Sequence, residues 1–365
     1  MQDRSLTMAT SWADIGRRIV QGLDARMGEL ILVRECSGRY DVLQEILLAI
    51  EEAGAVPMPQ ISPARYLERL WGVGTLTYLS RWDHRRADML ETVDRVLVLG
   101  GDAPDIDGAD RHLYGAWAQA EERLTQIEDH RRLPHLMVAV PTAKRAFDMG
   151  ITLDALDARV LPALNVPAHA LSGEITRVLA AVQNALTLTV RAATGHELTL
   201  KRGSRRWVGE DGCIDQSDRA RGAVVSMLPA GSLSCAPLED LTEGNVYLPR
   251  LHGARDVTLH VNAGRIVHVD ARTQSEQTRI NGWLDGFHGE PRRVGCVGIG
   301  LNPGLSETVG WPQVDACAFG RVSVTLGDNR HLGGSNASSL SLMLGLERVT
   351  LLADGVNVLL GTAAA

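Results

Sequence analysis

Up to about residue 165, continuous apolar runs alternate along the chain with segments of helical spacing. Leu30-Ile-Leu-Val, Val96-Leu-Val-Leu and Leu136-Met-Val-Ala-Val each read as a buried strand, because strands covered on both faces lose the apolar/polar alternation. Between them, Asp41–Ala53 repeats Leu, Ile and Ala at helical spacing and stops at Gly54. Asp88–Thr92 closes another helical segment, and Ala109–Ile127 predicts a long helix with a charged outer face. Ala55-Val-Pro-Met-Pro is extended, and its two prolines place it at a sheet edge or in a loop. Gly100-Gly-Asp is a turn, since it lacks the third spaced glycine of a phosphate-binding loop. The alternation predicts an open, mostly parallel α/β domain over residues 1–165.

Past Asn165 the pattern changes. Leu171–Ala185 is one more helix. Short β-rich pieces follow at Leu186–Ala192, Glu197–Lys201, Arg206-Trp-Val, Val224–Met227, Asn245–Leu248, Asp256–Asn262 and Arg265–Val269. Asn262-Ala-Gly lies between two alternating runs and predicts a hairpin turn. Residues 166–365 are therefore expected to form a β-rich α+β domain with a few helices. His260 and His268 alternate with apolar residues, as solvent-facing strand positions do.

Composition narrows the function classes. The 365 residues are 45% apolar and 22% charged, an ordinary globular balance with room for two domains. A net charge of −7 gives no electrostatic reason to expect nucleic acid. No run reaches the roughly 18 apolar residues of a membrane span, and none follows Met1-Gln-Asp-Arg-Ser as a secretory signal requires. Cysteines 36, 213, 235, 296 and 317 are odd in number and lack metal-site spacing, which suits free thiols in a reducing cytoplasm.

Several fragments, taken in order, resemble the thermophilic aminopeptidase T family of metallopeptidases. They are Gly28-Glu-Leu-Ile-Leu-Val, Ala53-Gly-Ala, Val140-Pro-Thr with Met149-Gly, Arg206-Trp-Val, and Asp211-Gly. Leu228-Pro-Ala-Gly-Ser-Leu-Ser-Cys-Ala-Pro-Leu-Glu is similar to the family's Leu-Pro-Ala-Gly-Glu-Val-Phe-Thr-Ala-Pro-x-Glu, and the ordered set spans nearly the whole chain. The scaffold also resembles dioxygenases that open dihydroxypyridine rings. The resemblance implies an aminopeptidase T-like fold, a homodimer, and a two-metal cleft in the C-terminal domain. It also fixes where ligands belong. One carboxylate is kept, as Glu239; the other positions hold Cys296, Ser323, Ser341 and Met343, and the tyrosine has no counterpart beyond nearby His331. Glycines 295, 298, 300, 327, 333 and 334 keep the frame around them.

Hydroxyls and a thioether are poor substitutes for imidazole and carboxylate, and a divalent ion needs three or four good donors. The expectation is therefore a metal-independent enzyme acting on a small molecule, by hydrolysis or elimination at a carbonyl or amide-like centre. No metal ligands are assigned and no cofactor is expected. Glu239 is the candidate acid–base, with a pKa raised by burial unless an arginine such as Arg250 or Arg293 pairs with it. Cys296 is the candidate nucleophile, ahead of Cys235, and His331 an assisting base. Asn302, Ser323, Asn336 and Ser341 are candidate substrate contacts. Two alternatives stand beside this reading. One is a metallopeptidase with rearranged ligands, using zinc, cobalt or iron; the other is a non-catalytic homologue that binds a metabolite or partner.

Overall fold

The computed structural model describes residues 10–106 and 109–358; the Met1–Ser5 stretch lies outside them. Two compact units result: Met1–Ala168 with Gly212–Ala230, and His169–Asp211 with Gly231–Ala365.

The first unit is built on a five-stranded parallel sheet. The apolar runs form its centre: Leu30–Glu35 pairs with Arg95–Gly100, which pairs with His135–Ala139. Val56–Ile61 lies at one edge, where Pro57 and Pro59 cost the sheet least. The other edge is Val225–Leu228, which the sequence alone placed among the β pieces of the second domain. Four residues carry too little pattern to reveal which sheet they join. Helices Tyr40–Glu52, Leu76–Leu90 and Arg111–Arg131 fall on the three helical segments read from the sequence, and among the described residues five further helices of this unit carried no comparable signal.

Among the described residues, the second unit contains two antiparallel sheets, of seven and five strands. Leu188, Val190, Leu200, Val257 and Leu259 of the larger sheet share one core with Leu233, Val297, Ile299, Val322 and Val324 of the smaller. Val178 and Val182 of helix Ala168–Val182 and Ile280 and Leu284 of helix Gln274–Asp285 join that core. The expected hairpin joins Ala254–Asn262 to Arg265–Asp270, with Ala263 and Gly264 both at positive φ as a tight twisted turn requires. His260 and His268 sit on the outside of these strands, and both hydrogen-bond to Asp270. All five cysteines are free, and among the described residues no helix is long and apolar enough to cross a membrane.

Candidate functional site

The five-stranded antiparallel sheet has two chemically different faces, because side chains alternate along each strand. One face enters the core. The other carries small and hydroxylated residues. Ser234, Gly298, Ser323 and Gly345 align in one row across four strands, and Cys296, Thr325 and Met343 in the next. A Cβ on Gly298 would stand 2.8 Å from Ser323 Oγ and 3.2 Å from Ser234 Oγ, so glycine there leaves both hydroxyls their space. Ser323 and Thr325 are buried although they face away from the apolar core. Arg321, just before the strand that carries Ser323, lays its guanidinium over Gly345, where a Cβ would meet Nη2 at 2.4 Å. Arg321 Nε is buried without a protein partner.

Glu239 meets the Cys296 end of this strand through Asn329. Arg205 Nη2 donates to both Glu239 carboxylate oxygens, at 3.0 and 2.8 Å. The Ser335 N–H donates to Oε1 at 2.6 Å. Asn329 Nδ2 lies 3.4 Å from the same oxygen and donates to the Gly295 carbonyl at 3.1 Å. The Asn329 side chain is fully buried, and its Oδ1 accepts the Asn336 N–H at 2.8 Å. Gly334 makes room for it, since a Cβ at Gly334 would fall 2.0 Å from Asn329 Oδ1.

Electrostatics at this cluster differ from the expectation. Burial pushes the Glu239 carboxyl up, but the Ser335 N–H, Arg205 and Asn329 outweigh it and hold the group below its ordinary value. The expected rise is thus overturned: the bound donors stabilise the anion more than desolvation penalises it. The partner is Arg205, not Arg250 or Arg293; Arg293 pairs instead with Asp240 and Glu290. Burial raises the Cys296 thiol, an effect that a hydrogen bond with Thr325 offsets only in part, so the thiol is neutral near pH 7. Cys296 packs with Ala236 and Leu332 in a small apolar cluster. Burial also pushes the Cys235 thiol up to about 12.

The remaining candidates are dispersed. His331 lies exposed on the short turn Arg330–Leu332, and its neighbour Leu332, not its ring, packs against Cys296. Asn302 is fully buried just past the far end of the Val294–Gly300 strand, six residues from Cys296, a span of roughly 20 Å in extended chain. Its Oδ1 caps the Gly304 N–H. Asn336 Nδ2 holds the Gly327 and Glu290 carbonyls, a loop-clamping position. Ser323 remains on the polar face. Ser341 is exposed at the start of the edge strand, opposite Gly327. Sequence reasoning missed Arg205, Asn329 and Arg321. Arg205 was visible only as half of a basic pair, and nothing in its spacing names a carboxylate 34 residues away.

A two-metal centre does not fit these residues. At the positions the resemblance assigns to metal ligands, Glu239 is paired with a guanidinium and the others hold a neutral thiol, two hydroxyls and a thioether. Among the described residues no three His, Cys, Asp or Glu side chains cluster as a metal site needs.

The units define a mixed α/β fold with one parallel sheet and two antiparallel sheets. The structure is similar to that of wild-type AmpT from Thermus thermophilus, with a TM-score of 0.68 and 16% identity over 95% of this chain and 96% of that one. It is also similar to a 2,5-dihydroxypyridine dioxygenase from Pseudomonas putida, with a TM-score of 0.61 and 17% identity over 95% of this chain and 94% of that one. No protein-family model and no curated protein matches the sequence.

Proposed function

We propose that this protein acts on a small molecule without peptidase metal ions, and that recognition on the polar face of its second unit is the central task. The observation that carries this reading is the Arg205–Glu239 pair. Its two oxygens already accept from a guanidinium, a backbone N–H and an amide, which leaves little lone-pair capacity for a metal ion. Arg321, Ser323 and Ser234 set hydrogen-bond donors against Gly345 and Gly298, which suits an acceptor-bearing group such as a carbonyl or carboxylate.

Hydrolysis or elimination by Glu239 and Cys296 asks more of the site. Glu239 has to leave Arg205 to exchange protons, and the Cys296 thiol has to ionise in an apolar cluster. The geometry favours binding over either step. The homodimer that the resemblance implies and the cytoplasmic location that the cysteine pattern suggests belong to this proposal, and sedimentation of the purified chain tests the first.

The deciding experiment is elemental analysis of the untreated protein, paired with turnover of an aminoacyl-anilide panel with and without chelator. The expected result is sub-stoichiometric zinc, cobalt and iron, and no chelator-sensitive turnover. One metal per chain, or anilide hydrolysis abolished by chelator, would overturn the reading.

A further inference from the structure

Within the first unit, one face of the parallel sheet and helices Ala64–Val73, Leu76–Leu90 and Arg111–Arg131 line a cavity of about 480 Å³. It shares no residue with the polar face of the second unit, so a ligand here is independent of the recognition proposed there. An apolar cavity of roughly 150 Å³ holds one benzene ring, and single small molecules occupy pockets of roughly 300 to 1,000 Å³. Strand alternation builds the floor: Leu32 and Cys36 come from one strand and its end, and Met58 from the edge strand. Tyr66, Trp82 and Trp117 form the walls.

Aromatic side chains are concentrated at this cavity. The chain has seven Trp and five Tyr in 365 residues, and three of each fall from position 66 to position 117. All six line the cavity or pack on a residue that does. Trp71, wholly buried, meets Trp117 edge-on with ring centroids 5.1 Å apart, and Tyr114 lies 5.2 Å from Trp71 and 6.0 Å from Trp117. Tyr78 stacks on Trp82 with 10° between the ring planes. The wall rings are thus held in place by other rings. Tyr66 and Trp82 nevertheless keep 44% and 39% of their surface exposed. A flat guest covers that area and gains ring–ring contact at the same time.

Charge sets the polarity of the guest. Three arginines line the cavity, and each is answered within the chain: Arg34 by Glu128, Arg86 by Glu121 and Arg85 by Asp88. Burial pushes the Cys36 thiol up to about 11, so it is neutral at pH 7. A charged guest would give up its water here and find no free counter-ion, whereas an uncharged one loses little.

We propose that this cavity binds an uncharged, flat aromatic compound of about two or three rings, seated among Tyr66, Trp82 and Trp117 over Leu32 and Met58.

Fluorescence titration of the full chain with the neutral probe N-phenyl-1-naphthylamine tests the assignment, followed by its displacement with naphthalene-2-carboxamide and with naphthalene-2-carboxylate. The probe is expected to bind at one site per chain. The uncharged amide should displace it at a concentration at least about tenfold lower than the acid, because the acid is desolvated without a partner. Met58→Trp, which fills the floor, should abolish probe binding. Trp82→Ala, at a partly exposed position, should weaken it about fivefold, the worth of one aromatic contact. A parent-like thermal transition shows that Met58→Trp is folded; where it is not, Trp82→Ala carries the test. The proposal fails if the probe does not bind up to its solubility limit, if the acid displaces it as readily as the amide, or if Trp82→Ala or a folded Met58→Trp binds it as the parent does.

Discussion

Arg205 Nη2 touches both carboxylate oxygens of Glu239, so the acid to which the family resemblance pointed is neutralised from within the chain. Both side chains are largely buried, with 21% and 13% of their surface exposed. Removing one partner of such a pair leaves the other uncompensated, which costs more than the pair contributes. Arg205→Ala and Glu239→Gln are each expected to lower stability by about 1–3 kcal/mol, and the double variant by less than the sum. Urea unfolding of the four proteins measures the coupling; strict additivity would show that the two groups do not interact.

The same pair has a pH signature. The Glu239 carboxyl is held below its ordinary value in the folded protein, since its bound donors outweigh burial. Its contribution is therefore fully present above the unfolded value, about 4.3, and is lost as pH falls through the lower folded value. The stability gap between the parent and Glu239→Gln should be widest above about pH 5 and should shrink steadily on acidification. A gap that widens toward acid would contradict the direction of the shift.

Thiol chemistry separates the cysteines. Cys235, Cys296 and Cys317 are buried, and burial raises all three. Iodoacetamide at mildly alkaline pH should leave them unlabelled in the folded chain and label the partly accessible Cys213 to the greatest extent, with Cys36 slow because burial raises its thiol to about 11 as well. Peptide mass spectrometry reads the pattern. Cys296 labelled first would restore the nucleophile reading.

Gly334→Ala probes the Asn329 bridge. The added methyl meets a buried amide at 2.0 Å, and that amide ties the Gly295 carbonyl to Glu239. A loss of about 1–3 kcal/mol is expected, as for overpacked cores. Gly333→Ala next to it finds open space but sits at φ 77°, so its smaller cost comes from the backbone alone. Equal losses for the two variants would mean that Asn329 is not the sensitive neighbour.

The sequence made the central parallel strands legible because they are buried on both faces, so Leu30-Ile-Leu-Val and Val96-Leu-Val-Leu are continuous apolar runs. Pro57 and Pro59 announced an edge strand through the missing N–H alone. The Val294–Gly300 strand was harder to see. Its alternation is real, but one face is Cys and Gly, which look like turn punctuation until register sets them beside Ser234 and Ser323. At the candidate site, Glu239 was found through motif order, whereas Arg205 and Asn329 reach it from loops that only tertiary structure brings near. Its depressed pKa followed from those unseen donors. No local pattern encodes that kind of contact.

One consequence of the chain path reaches beyond the finished fold. The edge strand Val225–Leu228 completes the parallel sheet only after the chain has left that unit through His169–Asp211 and returned to it. During synthesis, the His135–Ala139 strand must wait with an unpaired side until Leu228 has left the ribosome. A nascent chain halted after Ala168 carries that open edge into the cell, where a holdase or a neighbouring nascent chain meets it first.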